Sequence, residues 1–174
     1  MAIQRISTAH SERLNPDQYW PQWDEDGYIE AANSQAANAQ KAFSSGEAVA
    51  VQASGVVSQT MEGQTADAAM ARFASDGARL ENRGGVHMNN ATINGLMAQN
   101  VANRKAQINF LLAGHEAEVE AIKAKAVAQG WTQNELQDEV ARADDGYRQQ
   151  LQTVAQNSDQ AHEELKGQLN TGEP

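Results

Sequence analysis

Nine side chains in the last third of the chain constrain its architecture more tightly than any other feature. Leu136, Val140, Ala143, Tyr147, Leu151, Val154, Ser158, Ala161 and Leu165 follow one another at steps of four, three, four, four, three, four, three and four residues. That near-heptad spacing winds a stripe along one helix face, and the stripe needs a facing helix to cover it. A second periodic run precedes it within residues 86–128, through Ile93, Met97, Val101, Ile108, Leu111 or Leu112, Val119, Ile122 and Ala126. Between the two runs lies Gly130-Trp131-Thr132. Gly130 suits the left-handed residue that closes a helix, and Thr132 with Glu135 matches a capping box, so the runs read as an antiparallel hairpin.

The remainder of the chain is helical in a different idiom. Hydrophobic residues make up 40% of the 174 positions and aromatics only 5%, and much of the hydrophobic share is alanine. Alanine is the strongest helix former, and valine and isoleucine are too sparse for a substantial sheet. Ile29, Ala32, Ala36, Ala39 and Phe43 predict a first short helix over 28–43, with a break at Ser44-Ser45-Gly46-Glu47, where Ser44 and Glu47 have capping-box spacing. Ala50, Ala53, Val57, Thr60 and Met61 predict a second segment, and Ala68, Ala71, Ala74 and Ala78 a small-residue stripe over 65–80. Gly84-Gly85 then marks either a turn or a long helix sustained by tertiary contacts. The expected fold is all-α: an elongated antiparallel helical bundle over 28–166, built on long helical hairpins, with a hairpin turn near 129–132.

Residues 1–27 read as an irregular arm, because Asn15-Pro16 and Trp20-Pro21 bias the chain away from helix. Tyr19, Trp20, Trp23 and Tyr28 crowd aromatic surface into that stretch and its edge, either pinning the arm to the bundle or anchoring a partner. Residues 167–174 read as a frayed tail, whose Gly172-Glu173-Pro174 ending would suit a linker to a further effector domain.

A formal net charge of -10 argues against nucleic acid or an anionic membrane as partner. No cysteine is available for a disulfide or thiolate chemistry, and no apolar run is long enough to span a bilayer. A classical signal peptide is not expected either. The histidines are His10, His87, His115 and His162, and His115-Glu116-Ala117-Glu118-Val119 lacks the second histidine of a zinc-protease helix. Glu116, Glu118, Glu120, Lys123 and Lys125 read as a solvated helix face. No phosphate-binding loop or nucleophile elbow occurs, so neither a catalytic site, a metal nor a cofactor is expected. Asn89, Asn90, Asn94, Asn100, Asn103 and Asn109 are dense for one helix, and some are expected to fix helix register through buried hydrogen bonds.

Met61-Glu62-Gly63-Gln64-Thr65-Ala66-Asp67-Ala68-Ala69 resembles the helix-turn-helix corner of the WXG100-like superfamily of type VII (ESX) secretion. Met61 stands where that family has tryptophan; Gly63 and the alanines match. The likeness is strongest over residues 45–165 and lies nearest the longer PPE-like and effector N-terminal helical domains. It implies a non-enzymatic helical protein-protein interaction module, exported without a signal peptide to the medium or cell surface, with a helical protein partner. The family's Tyr-x-x-x-Asp/Glu export signal has no counterpart after the hairpin, because Tyr147 is followed four residues on by Leu151. The alternative is a self-associating structural protein, such as a phage, ring or filament subunit, working in the cytoplasm. Met61 and Gly63 are the candidate corner residues. Trp20, Trp23, Tyr28, Met97, Val101, Ile108, Leu151 and Val154 are the candidate partner interface.

Overall fold

The structure, a computed structural model, describes residues 2–57, 59 and 62–169. The described residues are all-α with no strand, and three long helices carry them: α1 (Glu25–Gln52), α2 (Gln64–Gln129) and α3 (Gln133–Gly167). They divide into two compact units. Unit 1 comprises Met1–Asp26 with Met97–Leu165, and unit 2 comprises Gly27–Leu96 with the residues from Lys166 onward.

In unit 1 the second half of α2 and most of α3 form the predicted hairpin. Gly130 has φ +65°, and the Trp131 N–H donates to the Ala126 carbonyl at 3.0 Å, which closes α2 in a Schellman turn. Across the turn Thr132 and Glu135 bond reciprocally. The Thr132 N–H donates to Glu135 Oε2 at 2.7 Å and the Glu135 N–H to Thr132 Oγ1 at 3.3 Å. The core joins Ile108 and Leu112 of α2 to Leu151 of α3 and to Leu14 of the N-terminal segment, all four fully buried. Residues 1–26 are therefore more than an irregular arm. Two 3-10 turns, Ser11–Leu14 and Pro16–Gln18, seat Leu14 in the hairpin, and Asn15 joins them in the left-handed conformation at φ 50° that asparagine tolerates.

Unit 2 pairs α1 with the first half of α2 in antiparallel fashion. The expected break at 44–47 is absent: α1 runs through it, and the Ser45 hydroxyl turns back onto the Lys41 carbonyl at 2.8 Å. Asp24 caps α1 instead, accepting the Asp26 N–H at 3.1 Å. Gly46 is a contact glycine rather than a breaker. A Cβ placed there would meet the Gly77 carbonyl at 3.4 Å and Leu80 Cβ at 3.5 Å. The Gly84-Gly85 pair likewise lies inside α2, with the Phe43 ring laid over Gly84 so closely that a Cβ would meet it at 2.5 Å. After α1, Ala53–Val57 forms a π-turn, and Gly63, at φ +74°, precedes α2 and accepts the Ala66 and Asp67 N–H groups. Met61 lies outside the described residues.

Candidate functional site

Unit 1 offers both a densely bonded interior and an open apolar groove. The groove lies between α2 and α3 and encloses about 680 Å³. Gln107, Phe110 and Leu111 line one wall; Gly146, Gln149, Gln150, Thr153 and Val154 line the other. The α3 positions recur at steps of three, one, three and one, which is one helix face, and Gly146 leaves that wall without a side chain at one end. Phe110 is 77% exposed at the rim. Leu111 and Val154 are half-buried beneath it and pack onto the core.

Most of the candidate interface residues have another role. Met97, Val101, Ile108 and Leu151 are buried within the chain itself, so they are core residues and not a partner surface. The reason is geometric: α2 and α3 turn their apolar stripes toward each other, and the N-terminal segment covers what the hairpin leaves open. Only Val154 reaches the groove. Trp23 stacks on His162 with ring centroids 3.7 Å apart and planes 5° apart, with the Arg104 guanidinium 5.9 Å from its ring. Trp20 packs against the core with the Lys105 ammonium 5.8 Å from its ring centre. These two tryptophans pin the N-terminal segment to its own hairpin. Tyr28 belongs to unit 2 and is half-buried.

Polar bonds complete the same attachment. Arg104 donates to the Tyr19 carbonyl at 2.8 Å and to Asp159 Oδ1 at 2.6 Å. Asn109 accepts the Ile6 N–H at 3.0 Å and donates to the Gln4 carbonyl at 2.8 Å, while Asn100 donates to the Ser158 carbonyl at 2.8 Å. Two of the six asparagines, Asn100 and Asn109, thus fix partners across unit 1, and Asn94 donates within its helix to the Asn90 carbonyl. The buried Lys105 ammonium pairs with Glu25, whose other oxygen accepts the Ile3 N–H at 2.7 Å. Burial pushes the Glu25 carboxyl up, but Lys105 and the N–H groups of Ile3 and Glu25 together outweigh it and hold the group below its ordinary 4.5.

A second buried pair joins all three segments. His115 Nε2 lies 2.7 Å from Asp144 Oδ1, and Arg13 donates to Asp144 Oδ2 at 3.1 Å. A carboxylate only accepts, so Nε2 carries the proton, and Nδ1 has no hydrogen-bond partner. Tyr147 stands edge-on to His115 at 5.3 Å. Its hydroxyl is held above the ordinary 10.0 by burial first, then by the charge and hydrogen bond of Glu118. This group is enclosed, with His115 fully buried and Asp144 nearly so, and it holds segments together.

Glu116 and Glu120 are likewise not simply a solvated face. The His10 N–H donates to Glu116 Oε2 at 2.9 Å, and Lys123 donates to Glu120 Oε1 at 2.8 Å. Both carboxyls are held below 4.5: Glu116 chiefly by the Thr8 side chain, and Glu120 chiefly by Lys123 and then His10. The contacts of His10 and Arg13 have no sequence signal, since nothing in their spacing ties residues 10 and 13 to positions a hundred residues away, and Phe110 is not singled out by the sequence at all. No protein-family model, curated protein or solved structure matches the chain. No helix among the described residues is long and apolar enough to cross a membrane.

Proposed function

We propose that this chain is a non-enzymatic helical protein-interaction module whose unit 1 groove receives a helix from a partner. The observation that carries this reading is Phe110, a large apolar side chain 77% exposed at the rim of a groove floored by Leu111 and Val154. Two antiparallel helices present parallel ridges, and a third helix seats its own ridge between them. The glutamines and Thr153 on the walls supply hydrogen-bonding groups without a buried charge.

The finer reading places the module in a type VII secretion system. Its support is the likeness of residues 61–69 to the family's corner, together with Gly63 in the left-handed conformation just before α2. The alternative, a self-assembling structural subunit, would use the same groove, because Trp20 and Trp23 are engaged within their own chain.

Light scattering of the purified chain, alone and with helical proteins encoded beside it, tests the proposal. The expected result is a one-to-one complex that Phe110→Glu weakens at least tenfold. A homo-oligomer dispersed by the same substitution would favour the alternative. A chain that stays monomeric in every mixture sinks both.

A further inference from the structure

The N-terminal segment meets α2 at a point where one ring nitrogen is assigned two incompatible tasks. His10 Nε2 lies 2.8 Å from Glu120 Oε1 and 2.6 Å from Lys123 Nζ. Against a carboxylate, Nε2 must carry a proton; against an ammonium, it must offer a lone pair. A single nitrogen does one or the other. Glu116, one helical turn before Glu120, brings a second carboxylate to the same place, and one ligand atom from each of His10, Glu116 and Glu120 lies within 4.8 Å of the others.

We infer that His10, Glu116 and Glu120 form a zinc site that clasps the N-terminal segment to α2, with Lys123 standing in the cation's place until the metal displaces it. A dication takes the Nε2 lone pair and the Glu120 oxygen together, which removes the conflict. Tetrahedral ligands at zinc distances of 2.0–2.2 Å are about 3.4 Å apart, so the donor atoms need shifts of roughly 1 Å. Glu120 and Lys123 are exposed enough for those rotations, at 57% and 42% of their side-chain surface. Glu116 is set in place by the His10 N–H and the Thr8 side chain, the kind of outer contact that orients a metal's carboxylate. One imidazole with two carboxylates suits a borderline ion such as Zn²⁺; Mg²⁺ and Ca²⁺ favour all-oxygen sets. The fourth position would hold water.

Titration calorimetry of the full, untagged chain with zinc chloride, in a buffer that does not chelate, tests the site. The expected result is one ion per chain, with at least tenfold weaker binding in His10→Ala and in Glu120→Gln. Lys123→Met removes the competing cation and is expected to tighten binding several-fold. Hydrogen exchange reads the clasp directly: zinc should slow the amides of residues 8–13 in the unaltered chain and not in Glu120→Gln. Glu120→Gln changes an exposed side chain, so it keeps the test meaningful if His10→Ala loosens the fold. Absence of saturable binding, unaltered affinity in either ligand variant, or displacement of zinc by equimolar magnesium would overturn the inference.

Discussion

At the scale of single residues, the ion pair of Glu25 with Lys105 carries the largest expected energy. Both side chains are buried, and removing one partner strands the other charge, which costs about 3–5 kcal/mol. Glu25→Ala should therefore lower the urea midpoint sharply, and adding Lys105→Met should recover much of the loss. The pH dependence has a definite sign. A carboxyl held below its unfolded value stabilises the fold above that value and loses the contribution as pH falls through it, here from about 4.5 downward. Urea midpoints between pH 7 and pH 3 should fall less steeply in Glu25→Ala than in the unaltered chain. Tyr147 titrates in the opposite sense. Its neutral form is favoured in the fold, so its absorbance change at alkaline pH should come above 10 and return toward 10 when Glu118 is replaced by Gln.

At the scale of elements, two neighbouring glycines should respond oppositely to one substitution. A Cβ at Gly85 meets nothing within 4 Å, so Gly85→Ala should gain about 1 kcal/mol from helix propensity. The same change at Gly84 drives a methyl into the Phe43 ring, and overpacking of about 1–3 kcal/mol outweighs the propensity gain. Thermal melts of both variants decide the matter, and Phe43→Leu should rescue Gly84→Ala. Thr132→Ala should cost about 1 kcal/mol through the lost cap of α3. These positions also mark how far elements were legible. The hairpin turn and its capping box could be read from the sequence because glycine, threonine and glutamate act there on their own neighbours. Ser44-Ser45-Gly46-Glu47 misled, and Gly84-Gly85 left a turn and a continuous helix both open, because their glycines answer to a helix distant in sequence, Gly46 to Gly77 and Gly84 to Phe43. Local chemistry cannot distinguish a glycine that ends a helix from one that admits a neighbour.

At the scale of the whole molecule, the chain's own surfaces compete for the apolar stripes that periodicity reveals. Met97, Val101, Ile108 and Leu151 follow a periodic pattern equally suited to a core or an interface; all four are buried, and at Ile108 and Leu151 the N-terminal segment decides between the two by packing Leu14 against them. Phe110, on which the proposed partner surface rests, stands off the stripe and has no periodic signal. Deleting residues 2–20 should expose Ile108, Leu112 and Leu151; the expected outcome is binding of a hydrophobic dye and loss of cooperative melting in unit 1. Retained cooperativity would show the segment to be a detachable appendage.

The partition of the chain also sets a timetable. Leu14 leaves the ribosome well before Leu151, against which it packs. At about 5–20 residues per second, roughly 7–27 seconds of synthesis separate them, while the intervening residues 27–96, which belong to unit 2, emerge. Throughout that interval Tyr19, Trp20 and Trp23 have no hairpin to cover them. The nascent chain thus displays its most aromatic stretch until α3 has emerged and conceals it afterwards, so a factor that reads those residues would distinguish a chain without its hairpin from one that has it.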